Sequence, residues 1–368
     1  MSGKTALVMI AAAAGAAGAA GALLAIRPAG GRRAAAIATA ALAVAALTVV
    51  VVGASPAYGA TTKPERAPTE RWVPRSGGRL YVRDQRGAGP AFILMHGFPD
   101  NSHLYDRLVP RLAGHRVVTF DFLGWGRSST PRRHRYTFSG QEADLDAVIR
   151  TLGLTRVVLV AHDAAGPAAV NWALDHPDRV AGLALMNAFY APTPTARPPA
   201  LISLLALGHI PDTLPTGVLP PGFTSNLSEV AQAVAARPTL FGALFEWQER
   251  QMFERAGDAR HFIPLFERPF LRSGGLRPLL SLTADLLPAV VADASRIPEL
   301  AALPAPIRLV WGQRDPDLNV ESARFLATQV PRAKLYVLRR AHHNLQIDEP
   351  AAVARLLLPL AGDARLDG

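Results

Sequence analysis

The sequence predicts an α/β domain: a mostly parallel sheet with helices on both faces. Three observations carry this. Short runs rich in Val, Ile and Leu recur between residues 79 and 340, several too continuously apolar to leave a solvent face. Helical patterns lie between most of them, the alternation that parallel crossovers require. One long interval without strand signals interrupts the series before its last two strands, as an inserted layer would.

In chain order, residues 1–60 come first and differ from the rest. Two apolar runs, residues 5–26 and 34–60, each reach the roughly 20 residues that span a bilayer. The first is mostly Ala and Gly; the second, with its Val cluster, is the stronger membrane candidate. Residues 1–60 hold no Asp or Glu, and the intervening RPAGGRR carries three Arg, favouring a cytoplasmic loop and a chain that lies outside beyond it. The small residues of SPAYGA, Ala57 and Gly59 among them, also suit a peptidase. The region is expected to be a membrane anchor or a cleaved signal, with the domain of residues 61–368 membrane-anchored outside the cytoplasm or secreted.

Composition narrows the partners. Without Cys there is no disulfide or thiolate site, which fits export. The net charge of +10 rests almost wholly on Arg, and no basic block with interleaved aromatics marks a nucleic-acid surface.

After a Pro-rich, charged linker around TTKPERAPTE, strands are expected at residues 79–85, 91–96, 116–122, 156–162, 180–187, 307–315 and 334–340. SGQEADLDAVIRTLG reads as a helix that opens on a cap-like Ser139 and closes on Gly153, its aliphatic residues on one face. Residues 190–303 carry Pro, Leu and the helical EVAQAVAARPTLFGALFEWQERQMFERAG, but no clear strand. An insertion of this size is expected to be a helical cap over a site.

Chemistry gathers at strand ends. In VVLVAHDAAGPAAV a buried strand runs into a helix, and Asp163 sits at the turn between them. A nucleophile at the tip of such a turn needs small neighbours, and Ala161, Ala165 and Gly166 supply them. Pro167 falls in the first helical turn, where its missing N–H does no harm. A carboxylate is already ionised at neutral pH, so Asp163 needs no base to attack carbon. Alone it would read as a helix cap; its companions favour chemistry. LMHGFPD lets the Phe98 N–H face an oxyanion or leaving group beside the Ala164 N–H. DFLGWGRSS, with Asp121, reads as scaffold. WGQRDPDLN ends a strand with Asp315, and RAHHNLQIDEP follows the last strand with His342 and His343.

Together these motifs resemble the α/β-hydrolase superfamily over residues 68–363. HGFP, the D-x-x-G-x-G-x-S of Asp121 to Ser128, and HD at the turn are most similar to its Asp-nucleophile branch, the epoxide hydrolases and haloalkane dehalogenases. The resemblance implies the α/β-hydrolase fold with its cap before the penultimate strand, and the order nucleophile, cap, acid, histidine. Asp163, residues 190–303, Asp315 and His343 keep that order. His343 is chosen over His342 by its spacing to Pro350, and Asp317 is a substitute for Asp315. The implied chemistry is a covalent ester on Asp163, hydrolysed by water that His343 deprotonates while Asp315 orients it, with no metal or cofactor.

Substrate determinants depart from both named activities. Ala164 stands where dehalogenases place a halide-binding Trp, and Phe98 where they place Asn. Epoxide hydrolases use cap tyrosines, and residues 191–303 contain none; Tyr190 is the nearest. Tyr190 and Trp247 are the expected substrate-binding residues, with His209 and His261 as further cap candidates. A small, apolar, uncharged substrate suits the Leu- and Phe-rich cap. Two other readings stand beside hydrolysis: a ligand-binding protein without turnover, and a cofactor-free lyase or peroxidase-like enzyme in which His343 moves protons.

Overall fold

The computed structural model describes residues 68–195, 238–272 and 276–362. The apolar runs of residues 1–60 and the cap candidate His209 lie outside them. Among the described residues no helix is long and apolar enough to cross a membrane.

One sheet holds eight strands among the described residues: β1 Thr69–Arg75, β2 Gly78–Gln85, β3 Ala88–Met95, β4 His115–Phe120, β5 Val157–Asp163, β6 Val180–Ala188, β7 Ile307–Gly312 and β8 Lys334–Leu338. They lie in the order β1-β2-β4-β3-β5-β6-β7-β8. β2 pairs antiparallel with both β1 and β4, and all other neighbours are parallel. β6 and β7 are buried throughout and β5 up to its last residue, so their apolar runs never alternate. Each fully buried Val, Leu or Ile there stabilises the fold by about 1.5–3 kcal/mol.

β1 occupies the end of what the sequence suggests is a linker. It is a largely exposed edge strand that tolerates Pro74, and it forms because the turn at Gly77, with φ +82°, lays TERWVPR back along β2. Edge strands lack the apolar signature that reveals the inner ones.

Helix α1, Phe138–Thr151, joins β4 to β5, and α2, Gly166–Asp175, joins β5 to β6. The N-cap of α1 is Thr137, whose Oγ1 accepts the Gly140 N–H at 3.0 Å; Ser139, the expected cap, lies inside the first turn. Between β6 and β7, the penultimate strand, come α3 Pro238–Glu249, α4 Ala256–Arg272, α5 Leu276–Ala294 and α6 Ile297–Ala302. α7, Val320–Gln329, leads to β8, and α8, Leu345–Asp348, and α9, Pro350–Leu357, follow it. The carboxyl ends of β3, β5, β6, β7 and β8 share one edge of the parallel sheet, where crevices form in this architecture.

Candidate active site

Asp163 ends β5 with its backbone in the left-handed region at φ +49°. For a residue with a Cβ this costs about 1–2 kcal/mol, and the surroundings enforce it. The Ala165 N–H closes the turn on the His162 carbonyl at 3.0 Å. Gly166 opens α2 against β6, where a Cβ would stand 1.9 Å from the Phe189 carbonyl oxygen. Ala161, Ala164 and Ala165 are wholly buried, and Pro167 sits in the first turn of α2. The sequence of small residues is thus what lets strand and helix meet at a sharp bend.

That bend presents the Asp163 carboxylate to two backbone donors. The Phe98 N–H donates to Oδ2 at 3.2 Å, and the Ala164 N–H acts on the same carboxylate to favour its charged form. Gly97 permits the approach: a Cβ there would lie 2.4 Å from Asp163 Oδ2. Burial pushes the Asp163 carboxyl above its ordinary range, opposed by the positive charge of His343 and the two N–H groups.

Across from it, the His343 Nδ1–H donates to Asp315 Oδ2 at 2.8 Å. Asp315 Oδ1 accepts the N–H groups of Asp317 and Leu318, each at 2.9 Å, which fixes the carboxylate beyond β7. Burial pulls the His343 imidazole down, but the Asp315 charge and hydrogen bond, then Asp163 and Asp317, raise it to about 10. His342 turns toward Asp348, its Nδ1 3.9 Å from Oδ2 and its backbone N–H donating to that oxygen at 2.8 Å. Asp317 does not replace Asp315 as the partner of the imidazole.

Asn187, at the end of β6 with φ +40°, positions this loop. Its Nδ2 donates to the His342 and His343 carbonyls at 2.9 and 2.8 Å, and its Oδ1 accepts the Gly312 N–H at 2.8 Å. The His162 Nε2–H adds a second bond to the His343 carbonyl at 3.0 Å, with the two rings 4.6 Å apart. Asp121 is structural: its oxygens accept the N–H groups of Ser102 and Arg127, both at 2.7 Å.

The structure does not bring Tyr190 or Trp247 to this group. Tyr190 is buried and donates its hydroxyl to Asn171 Oδ1 at 2.9 Å, while Asn171 binds Asp293, so the pair ties α2 to α5. Trp247 is 53% exposed, since on α3 it faces away from its buried neighbours Phe245, Gln248 and Glu249. His261 is likewise exposed. In their place stand two buried carboxyls that sequence reasoning missed, Asp100 beyond Pro99 and Glu249 at the end of α3. The helical face shared by Phe245, Gln248, Glu249 and Met252 is the signal that would have found the second. Among the described residues, no three His, Cys, Asp or Glu side chains are grouped to hold a metal ion.

A sheet of this order, a sharp strand-to-helix turn carrying an acid, and a histidine held by a second acid define an α/β hydrolase. The profile of the alpha/beta hydrolase fold matches residues 90–350, and the chain belongs to that family. Over 316 residues it is 26% identical to haloalkane dehalogenase 2 of Mycobacterium bovis, covering 82% of this chain and 98% of that protein. It is also 42% identical to a fluoroacetate dehalogenase of a Burkholderia species, but over 106 residues, 27% of this chain and about a third (35%) of that protein's length. Among solved structures it resembles the epoxide hydrolase CorEH, with a TM-score of 0.62 and 18% identity over 80% of this chain and 98% of that one.

Proposed function

We propose that the protein hydrolyses a small, neutral, largely apolar substrate at an electrophilic carbon, an epoxide or carbon–halide bond, through an ester on Asp163. The observation that carries this is the pose of Asp163. Its Oδ2 is held by the Phe98 N–H, the Ala164 N–H favours its charged form, and His343 and Asp315 stand paired across from it. In this reading one carboxylate oxygen attacks the carbon and the leaving group departs with the bonding electrons. The other becomes the ester carbonyl, already lodged between two N–H donors suited to the oxyanion that water attack creates. His343 takes the proton of that water, with Asp315 holding its ring.

Charge coupling supports the sequence of events. In the resting site the Asp163 carboxylate helps hold the imidazole protonated. Esterification removes that negative charge and so makes the imidazolium easier to deprotonate at the stage where the ester needs a base. The preference for a neutral substrate follows from the Asp163 and Asp315 carboxylates, which outnumber the one imidazolium of His343.

Single turnover in oxygen-18 water is the test. Solvent oxygen is expected in the peptide carrying Asp163, and in the His343→Gln protein the same peptide should accumulate the substrate adduct by mass spectrometry. Turnover without label in Asp163 refutes the ester intermediate.

A further inference from the structure

Hydrolysis of the ester depends on His343, and the loop that carries this residue is gripped from two directions. The core takes its carbonyls: Asn187 Nδ2 donates to those of His342 and His343, and the His162 Nε2–H donates to that of His343. The N–H groups on either side of His343 run instead toward the connection between α3 and α4, in the cap. The Asn344 N–H donates to the Met252 carbonyl at 3.0 Å. The His342 N–H donates to Asp348 Oδ2 at 2.8 Å, and Asp348 Oδ1 accepts the Glu254 N–H at 3.0 Å. Both chain neighbours of His343 are therefore tied to residues 252–254, one directly and one through a carboxylate.

Local geometry suits Asp348 to this task. The N–H groups of Ile347 and Asp348 both close on the Asn344 carbonyl, at 2.8 and 3.0 Å. That single turn, α8, folds the chain back so that residue 348 reaches the backbone of residue 342. The Asp348 side chain is wholly buried, and a buried carboxylate demands donors. It has one N–H on each oxygen, from two different segments, and hydrogen bonds to a charged acceptor are the strong ones. Two more contacts join the same segments. Arg340 Nε donates to Glu254 Oε1 at 3.1 Å, while Arg107 donates to the Ile347 carbonyl at 3.2 Å and to Asp258 Oδ1, on α4, at 2.6 Å.

Resting on the reading of Asp163 as nucleophile, we propose that Asp348 is a positioning residue through which the cap supports the base. Residues 252–254 hold the His343 loop by way of its carboxylate, and the imidazole is aligned for ester hydrolysis only while that segment is seated. The two half-reactions then answer differently to the cap. Formation of the ester draws on Asp163 and the Phe98 N–H, which belong to β5 and to the loop after β3. Its hydrolysis draws on a histidine whose position the cap helps to set. A displacement of about 1 Å at a catalytic group lowers a rate by roughly 100-fold, so a clasp of a few hydrogen bonds is sufficient.

The test follows the peptide carrying Asp163 by quenched-flow mass spectrometry, with full-length protein in excess over styrene oxide or phenethyl bromide. The rise of the adduct reports alkylation and its decay reports hydrolysis. Asp348→Asn keeps one acceptor oxygen and turns an amide N–H on the other donor; it should slow the decay about 10- to 100-fold and leave the rise within about threefold of the parent. Glu254→Pro deletes the cap's N–H and leaves Asp348 intact, and Phe253, at φ −121° and ψ 140°, already has the backbone that a residue before proline needs. It should slow the decay at least about tenfold more than Glu254→Ala, which loses the Arg340 contact and keeps the N–H. Misfolded molecules lower the amplitudes and leave these rates unmoved. A decay within about threefold of the parent in Asp348→Asn overturns the proposal, as do a rise and decay that slow together or a Glu254→Pro protein that matches Glu254→Ala. In each of these cases the adduct on Asp163 keeps the nucleophile reading. No adduct on Asp163 from either probe overturns that reading and the proposal with it.

Discussion

Replacing Asp315 by Asn tests how the site sets the state of its histidine. The Asp315 carboxylate is fully buried, fixed by two N–H groups at 2.9 Å and bonded to His343 Nδ1 at 2.8 Å. Burial alone would pull the imidazole below its ordinary 6.5, yet it stands at about 10. That difference amounts to roughly 5 kcal/mol in favour of the imidazolium. Among the groups that raise it Asp315 comes first, through charge and hydrogen bond, with Asp163 and Asp317 behind. A directly bonded opposite charge shifts such a group by about 1–3 in pKa, so His343 in the Asp315→Asn protein should titrate between about 7 and 9. Imidazole nitrogen NMR across pH measures this, with His343→Gln assigning the signal. The sign of the linked stability is also fixed. A raised folded-state value stabilises the fold fully below 6.5, and that contribution is lost as pH rises through about 10, so Asp315→Asn should shrink the loss over this window. Ester hydrolysis should slow by about 10³ to 10⁴-fold, because the Asn amide favours the wrong tautomer. A midpoint within about 0.5 of the wild-type value would refute this account of the charge balance.

Three further outcomes are expected. Gly97→Ala places a Cβ 2.4 Å from Asp163 Oδ2 and must drive the carboxylate off the Phe98 N–H; kcat/KM should fall at least about 100-fold while thermal unfolding barely shifts. Asn187→Leu removes three buried hydrogen bonds around the His343 loop, and chemical denaturation should show a loss of about 3 kcal/mol. Chloroacetate, an anion facing a site rich in carboxyls, should be turned over at least about 100-fold more slowly than a neutral chloroalkane of similar size; comparable rates would contradict the substrate class.

Much of this architecture is legible in the amino-acid order because burial leaves a pattern. β5, β6 and β7 are almost wholly apolar since both of their faces are covered, and Asp163 and Asp315 stand out because one ends such a run and the other follows one. β1 leaves no comparable trace: its pairing partner is 15 positions away at Asp84, and its own side chains are mostly in water. Thr137 caps α1 where Ser139 has the same chemistry two residues on, and backbone geometry alone separates them. Trp247 and Glu249 show the same limit at the site. An aromatic in a cap invites a role in binding and a charged residue invites a solvent face, whereas helix phase reverses both, exposing Trp247 and burying Glu249 beside Phe245 and Met252.

The residues missed share a physical cause. Asp163 and Asp315 lie within loops whose small or turn-forming neighbours aim N–H groups at them, so sequence context announces an ionised acid. Asp100 and Glu249 are buried by neighbours distant in sequence, and no local pattern encodes that burial. Five carboxyls, those of Asp163, Asp315, Asp317, Asp100 and Glu249, couple through charge to the one imidazole of His343. Burial raises Asp163, Asp317, Asp100 and Glu249 above their ordinary range, so the site limits how many of them carry charge together, and the imidazolium favours those closest to it.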